Sequence, residues 1–311
     1  MPSWQARIFS LAIRGVVRRR HWGREQALAR RARFLFGAPA PIRWLATRGV
    51  RREQVSAASV RGEWLIPGAP LPGVVFYVHG GGFAACSTAT HRPITSSLAR
   101  FTRRRVFSVD YRLAPEHRFP AAHDDVLAAY EWLLTTGVPS SAVALAGESA
   151  GGNLVLSLGV RLRDQQLPAP ACIVAFSPWT DLAGAGHSVR ANDGRCAMFR
   201  PENIADFAAA TLGGAEPADS PAASPVYADL AELPPVLLHV GSTELLLDDA
   251  RRVHDRIRAT GGPSQLEIFD DVPHGWQMLA PLMPEATASL QAAATFIGQH
   301  IEGASALPDE R

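Results

Sequence analysis

The chain carries a serine in a setting that suits nucleophilic catalysis. Residues 147–151 read Gly-Glu-Ser-Ala-Gly, which fits the pattern Gly-x-Ser-x-Gly. This pattern describes a sharp turn from a strand into a helix, with the serine at the apex and small residues at the flanks. The apolar run 143–146 and the helix-forming run 150–163 predict that strand and that helix. Because short patterns also arise by chance, the prediction that Ser149 is a nucleophile depends on further residues.

A glycine-rich stretch supplies the first of them. Residues 79–83 read His-Gly-Gly-Gly-Phe and follow the uninterrupted apolar run 74–78, which predicts a buried strand. Three glycines after a buried strand let backbone N–H groups point into a cavity without obstruction by side chains. Such fixed donors stabilise the negative charge that develops on a carbonyl oxygen under attack. The alternative is a flexible glycine turn.

A serine hydroxyl needs a base to accept its proton and an acid to orient that base, here expected in the chain order serine, acid, histidine. Five of the ten histidines follow the serine: His187, His239, His254, His274 and His300. Only His274 lies on a loop after the last predicted strand, where its side chain can reach the edge of the sheet. The others lie in a strand, on helices or ahead of the acid candidates, so His274 is the predicted base.

The acid is expected after the preceding strand, residues 236–240. Glu244 is the first carboxylate beyond the end of that strand. Asp248 and Asp249 come a turn later, where they would favourably face a helix N-terminus. Glu244 is therefore the predicted acid, with Asp248 as the alternative.

Strand and helix patterns alternate over most of the chain, which predicts an α/β fold with a mainly parallel sheet between helices. Strands are expected at 55–66 (one or two), 74–78, 106–109, 143–146, 172–176, 236–240 and 266–269. Helices are expected within 1–45 and at 88–102, 124–135, 150–163, 201–211, 247–259 and 285–300. The site should lie at the carboxyl ends of the strands. We expect residues 1–45 to form a helical arm and 46–311 the catalytic domain, with an insertion at about 181–225 that joins the arm in a cap.

Bulk composition narrows the class of protein. Hydrophobic residues make up 47% of the 311 residues and charged residues 19%, which indicates a globular chain with a well-filled core. The apolar run 8–13 is too short for a signal peptide, and no run is long enough for a membrane-spanning helix. The three cysteines, Cys86, Cys172 and Cys196, form no CxxC pair, so a reduced cytoplasmic protein without structural disulfides or zinc is expected.

The net charge of +2 hides an asymmetry. All basic residues are arginines, and residues 1–52 hold 13 of them against a single acid, Glu25. A basic arm can bind nucleic acid or an anionic membrane. Because these arginines alternate with apolar residues, amphipathic helices packed on the enzyme are favoured over nucleic-acid binding. Peripheral membrane contact is the alternative.

Taken together, these motifs resemble the bacterial esterase branch of the hormone-sensitive-lipase family of α/β-hydrolases. The resemblance also covers residues 111–122, which read Tyr-Arg-Leu-Ala-Pro-Glu-His-Arg-Phe-Pro-Ala-Ala, and residues 177–182, which read Ser-Pro-Trp-Thr-Asp-Leu. It extends from about Val74 to the C-terminus, and the N-terminal arm matches only in being helical.

The resemblance implies an α/β-hydrolase fold with a helical cap, and a serine carboxylesterase that hydrolyses short- to medium-chain esters without cofactor or metal. Ser149 would be the nucleophile and His274 the base, while the N–H groups of Gly81, Gly82 and Ala150 would form the oxyanion hole. A homodimer is compatible with the resemblance. Two neighbours of the motifs, Phe83 and Trp276, are expected to contact substrate, with core packing as the alternative for Trp276.

Two departures from the family pattern bear on the acid and on the elbow. The family commonly has Asp-Pro-Leu-x-Asp where residues 244–248 read Glu-Leu-Leu-Leu-Asp, and aspartate is frequent where this chain has Glu148. We expect Glu148 to support neighbouring loops by hydrogen bonds.

Alternative functions are an amidase or deacetylase with the same triad, a lipase acting at a membrane surface, and a non-catalytic receptor on the same fold.

Overall fold

The computed structural model describes residues 1–19, 22–23, 25–57 and 60–301. Its eight strands are β1 (Val50–Ala57), β2 (Val60–Pro67), β3 (Leu71–Val78), β4 (Arg104–Val109), β5 (Val143–Glu148), β6 (Cys172–Phe176), β7 (Val236–Gly241) and β8 (Ser264–Phe269). All the strands expected from apolar runs are present.

Ten α-helices lie within the described residues: α1 (Trp4–Ile13), α2 (Glu25–Leu35), α3 (Ala40–Ala46), α4 (Arg92–Thr102), α5 (Ala121–Thr135), α6 (Ala150–Asp164), α7 (His187–Ala191), α8 (Pro201–Leu212), α9 (Leu247–Ala259) and α10 (Pro284–His300). A π-helical turn, Arg14–Arg18, continues α1. The short helix α7 is the one addition to the helices expected from the sequence. None of the described helices is both long enough and apolar enough to cross a bilayer.

The strands form one sheet in the order β1-β2-β4-β3-β5-β6-β7-β8. The hairpin β1–β2 is antiparallel, and β2 pairs antiparallel with β4, whereas every pair from β4 to β8 is parallel. The predicted α/β class with a mainly parallel sheet is therefore confirmed.

Central strand β3 shows how the core is divided between the two faces of the sheet. Its residues 74–78 are fully buried, so both faces are covered, as expected for a parallel sheet between helices. Phe76 points to the face covered by α5 and α6, where its ring lies 6.1 Å from that of Tyr130. The neighbouring Tyr77 points to the opposite face, where α4 and α10 supply Leu98 and Leu290.

The sheet changes direction between β3 and β5. From β3 the chain proceeds outward to β4, and it then returns to the other side of β3 as β5. A crevice opens at such a switch point because the loops after the two strands leave in opposite directions. The glycine loop after β3 and the elbow after β5 therefore lie side by side.

Polar contacts at both ends of α1 fix the N-terminal arm to the rest of the protein. At its start, the Ser3 N–H and hydroxyl donate to the Glu285 carboxylate over 2.6 and 2.8 Å. At its end, the Arg14 guanidinium donates to the carbonyl oxygens of Gly194 and Arg195 over 2.6 and 2.7 Å. The arm thus contacts both α10 and the segment 181–225.

Candidate active site

Ser149 occupies the apex of the turn between β5 and α6. Its φ and ψ are 54° and −117°, a strained combination for a residue with a side chain. The flanking glycines are required by close backbone approach. A Cβ at Gly147 would lie 2.2 Å from the Gly151 carbonyl oxygen, and one at Gly151 would lie 2.1 Å from the Val78 carbonyl oxygen. The sequence therefore forces the serine out of the sheet and into the crevice.

His274 lies between Ser149 and Glu244. Its Nε2 is 3.0 Å from the Ser149 Oγ, and its Nδ1 is 2.5 Å from the Glu244 Oε2. Because a carboxylate only accepts hydrogen bonds, Nδ1 donates, and Nε2 is left free to accept the serine proton. The structure thus brings together the three side chains that the sequence analysis selected.

The pKa of His274 results from opposing effects. Burial by itself lowers it, but the charge of Glu244, the hydrogen bond to Glu244 and the charge of Glu148 raise it above the ordinary value of 6.5. The imidazolium that forms when the serine loses its proton is therefore stabilised.

Glu244 is held in place by two donors. Its Oε1 accepts from the Ser177 hydroxyl at 2.7 Å and from the Gly241 N–H at 2.6 Å, which leaves Oε2 for the histidine. Asp248, the alternative acid, lies in the first turn of α9 and accepts from the Ser188 N–H at 2.8 Å. Asp248 therefore lies at the start of a helix, as its sequence context predicts.

The glycine loop presents backbone donors beside Ser149. Gly81 and Gly82 have φ values of +110° and +61°, which residues with side chains rarely adopt. Within the described residues, their N–H groups have no protein acceptor. Ala150 is the first residue of α6, so its N–H has no acceptor within the helix. These donors can hold a negatively charged oxygen.

His79 and Tyr111 support the glycine loop. The Tyr111 hydroxyl donates to the His79 carbonyl oxygen over 2.9 Å, and the two rings stack with centroids 4.3 Å apart. Burial, together with the neighbouring His91, lowers the pKa of His79 to about 4. The His79 ring is therefore neutral near pH 7 and supports the loop without adding charge to it.

A second carboxylate, Glu148, also contacts His274. Its Oε1 lies 3.4 Å from His274 Nε2, and its Oε2 lies 3.2 Å from His91 Nε2. His91 in turn accepts from the Gly80 N–H at 3.2 Å. The sequence predicts only loop support from Glu148, and no motif marks His91. The position of Glu148 next to the serine was the one available signal for its contact with the histidine.

Two cavities meet at Ser149. The larger, of about 290 Å³, is mostly apolar and contains Ser149, Gly81, Gly82 and His274 on its floor. Its apolar walls come from the arm and from two loops, namely Phe9, Ala12, Ile13, Val16, Val17, Leu35, Phe36, Ile42, Met198, Phe199, Met278 and Leu279. The smaller, of about 20 Å³, is lined by Ser149, Gly82, Phe36, Trp179, Phe199, Asn203, Ile204, Phe207 and Leu246.

The two aromatic residues expected to contact substrate lie elsewhere. Phe83 is buried, with its ring centroid 6.0 Å from that of His123 and 5.7 Å from that of Trp179. Trp276 is buried against Phe269, 5.1 Å between ring centroids. Neither is among the described residues that line the two cavities. Core packing accounts for both. The aromatic residues in the walls of the large cavity are instead Phe9 and Phe36 of the arm and Phe199 of the insertion, where no sequence motif marks them.

Comparison with known proteins agrees with this geometry. Residues 75–278 match the family described as alpha/beta hydrolase fold. The chain belongs to this family. A crystal structure of an esterase from the bacterial hormone-sensitive lipase family superposes with a TM-score of 0.86 at 36% identity, covering 97% of this chain and all of the other. A crystal structure of EstE5 soaked with p-nitrophenyl butyrate gives a TM-score of 0.87 at 34% identity, covering 96% of this α/β-hydrolase and 99% of that chain.

Curated relatives point the same way. An acetyl-hydrolase of Streptomyces hygroscopicus is 36% identical over 78% of this hydrolase and 81% of its own length. The esterase LipU of Mycobacterium tuberculosis is 32% identical over 91% of this chain and 93% of its own. The predicted α/β-hydrolase fold, the relation to the hormone-sensitive-lipase branch and the assignment as a carboxylic ester hydrolase are confirmed by these likenesses.

Proposed function

We propose that this hydrolase cleaves short-chain carboxylic esters through an acyl-enzyme on Ser149, with His274 as base and Glu244 as the residue that orients it. The observation that carries the proposal is the continuous hydrogen-bonded chain from the Ser149 Oγ through both nitrogens of His274 to Glu244. The resemblance to esterases in sequence and fold supports the same reaction type.

The reaction begins with attack of the Ser149 Oγ on the ester carbonyl carbon while His274 Nε2 takes the hydroxyl proton. The carbonyl oxygen becomes an oxyanion and accepts from the N–H groups of Gly81, Gly82 and Ala150. When the intermediate collapses, the bond to the alcohol oxygen breaks and His274 returns the proton to that oxygen. A water molecule then repeats the sequence on the acyl-enzyme, releasing the carboxylic acid and restoring Ser149.

We assign the two cavities to the two halves of the ester on the basis of the position of His274. The leaving oxygen must lie within reach of His274 Nε2, and His274 lines the large cavity but is not among the described residues of the small one. The alcohol half therefore occupies the large cavity and the acyl half the small one. The small cavity has about 20 Å³ against about 290 Å³ for the large one, so short acyl chains are preferred.

We further assign the cap to the arm and the insertion, as expected from the sequence. The arm supplies Phe9, Ile13 and Leu35 to the walls of the large cavity, and the insertion supplies Met198 and Phe199. These side chains cover the catalytic residues with apolar surface. Water exclusion of this kind strengthens the hydrogen bonds that hold the oxyanion.

The decisive test is the variant Ser149→Ala assayed on p-nitrophenyl butyrate. We expect kcat to fall by about 10⁵-fold or more, with an unchanged circular dichroism spectrum, because the nucleophile is removed and the only described hydrogen bond lost by the hydroxyl is that to His274. A burst of p-nitrophenol from the parent protein would reveal the acyl-enzyme. Turnover by the variant equal to that of the parent would contradict the assignment of Ser149. An anilide of the same acyl group tests whether amides are also cleaved.

A further inference from the structure

The outer face of α1 is apolar although it faces solvent. Trp4, Ile8 and Leu11 are 67%, 54% and 69% exposed. Their spacing of four and three residues places them on one face of the helix. The helix cannot rotate to bury them, because Ser3 and Arg14 tie its two ends to the body. An isolated exposed apolar residue is normal, but an aligned row of three large ones indicates a contact surface.

This face lies beside the entrance of the large cavity. Ala12, Val16 and Pro39 line the cavity and are also exposed to solvent, so the cavity opens between α1 and the segment 35–42. Phe34 and Trp44, which lie close to the two ends of the segment 35–42 along the chain, are 86% and 63% exposed. We call these two residues together with Trp4, Ile8 and Leu11 the apolar rim.

The charge around the apolar rim is strongly positive. Residues 1–52 hold 13 arginines and one acid. Arg7 lies on α1 at the flank of the exposed row, and Arg19 and Arg30 are exposed on the same arm. Tryptophan and leucine beside arginine are typical of segments that lie in the headgroup region of a membrane, where basic residues are attracted to anionic lipids.

A second copy of the chain is the less favourable occupant. Pairing two apolar rims would bring together two arms that each carry a large excess of positive charge, and the repulsion opposes association. An anionic lipid surface offers both apolar contact and opposite charge. We propose that the apolar rim docks on the surface of an anionic lipid bilayer and turns the entrance of the large cavity toward it.

Docking in this orientation has a consequence for substrate supply that rests on the proposed function. An ester with an apolar alcohol half partitions into the bilayer. From there it reaches the large cavity without crossing water, because exposed Ala12 at the entrance directly follows Leu11 of the apolar rim.

The experiment is flotation of the full chain with vesicles of phosphatidylcholine alone and of phosphatidylcholine mixed with phosphatidylglycerol. We expect binding to the mixed vesicles, little binding to pure phosphatidylcholine, and release by high salt. The triple variant Trp4→Ser, Ile8→Ser, Leu11→Ser should bind the mixed vesicles about ten-fold less or weaker still. Arg7→Gln should weaken binding by about five-fold.

The matched control is the triple variant Leu71→Ser, Phe101→Ser, Ile268→Ser, which removes exposed apolar side chains from β3, α4 and β8. It should bind the mixed vesicles as the parent does. Both triple variants should keep kcat/KM on dissolved p-nitrophenyl acetate, because none of the six residues lines the two cavities. This readout separates a failure of docking from a failure of the proposed function.

Two outcomes would overturn the proposal. One is the absence of binding to mixed vesicles at low salt, or equal binding by the parent and the rim variant. The other is a parent protein that sediments as a dimer and a rim variant that sediments as a monomer, since this would assign the apolar rim to a second copy of the chain.

Discussion

At the scale of single residues, His274 depends on Glu244 for both its orientation and its charge. Glu244→Gln keeps the shape of the side chain but offers an N–H₂ group that can stabilise the wrong histidine tautomer. We expect kcat to fall by about 10³- to 10⁴-fold on p-nitrophenyl butyrate. Asp248→Asn should lower kcat by much less, since Asp248 bonds to Ser188 at the start of α9. The opposite ranking of the two variants would make Asp248 the acid.

Glu148 is a second carboxylate that raises the pKa of His274. The base must be neutral to act, and its pKa is raised, so kcat/KM should fall as the pH drops through a pKa above 6.5. Since the charge of Glu148 is one cause of the raised pKa, Glu148→Gln should move this acid limb to lower pH. The pH profiles of the two proteins test this, and an unmoved limb in Glu148→Gln would leave Glu148 as loop support only.

The proximity of Ser149, Glu244 and His274 was predictable at this scale because each residue follows a strand and has the type that the proposed chemistry requires. The contacts of Glu148 with His91 and His274 were not, since they join loops 57 and 126 residues apart whose packing no local pattern encodes. Phe83 and Trp276 were misplaced for a related reason. Adjacency in sequence to a catalytic residue does not give the direction in which a large ring points, and both rings point into the core.

At the scale of elements, the elbow depends on the close contact of α6 with the end of β3. In Gly151→Ala, the new Cβ would lie 2.1 Å from the Val78 carbonyl oxygen, so the backbone must move. We expect a loss of about 3 kcal/mol in the free energy of unfolding, together with loss of activity. The control is Gly298→Ala on α10, which meets nothing within 4 Å and should gain about 0.5–1 kcal/mol. Denaturant unfolding measures both, and equal effects would contradict the close-contact argument.

Helix α8 sets the length of the acyl chain in the proposed function. Ile204 on this helix lines the small cavity, whereas Ile13 on α1 lines the large one. Ile204→Ala should raise the ratio of hexanoate to acetate hydrolysis by about ten-fold, because the loss of three side-chain carbon atoms makes room for a longer acyl chain. Ile13→Ala should change the ranking of esters that differ in the alcohol and leave the acyl ranking unchanged. If both variants shift the acyl ranking alike, the assignment of the cavities is wrong.

Strands and helices are predictable from the sequence where burial gives a strong apolar pattern. At the surface, some of their bounds and one short helix are not. The buried strands β3, β5, β6 and β7 were found from continuous apolar runs. Edge strand β1 begins at Val50, earlier than expected, because exposed Arg51, Arg52 and Glu53 mask the apolar signal of a strand. The five-residue helix α7 is held by tertiary bonds, among them the Ser188 hydroxyl to the Leu245 carbonyl oxygen at 2.6 Å.

At the scale of the whole molecule, the arm and the insertion meet over the active site. Trp22 of the arm packs against Phe36 at 5.0 Å and against Phe207 of α8 at 6.1 Å between ring centroids. The composition of the arm predicted amphipathic helices. It did not predict the contact with Phe207, because a contact between residues 185 positions apart depends on how the chain closes around the sheet.

Arg18 makes this closure testable. Its buried guanidinium donates to the carbonyl oxygen of Phe199 and pairs with Asp193, and the Phe199 ring lies 5.2 Å from that of His274. Arg18→Ala should lower the free energy of unfolding by about 2 kcal/mol, because the Phe199 carbonyl oxygen loses a charged donor. It should also lower kcat/KM by about ten-fold through a higher KM, as the wall beside His274 loosens. The exposed neighbour provides the control, and Arg19→Ala should change neither quantity. Equal kinetics of the two variants on p-nitrophenyl butyrate would show that the arm does not position the wall of the active site.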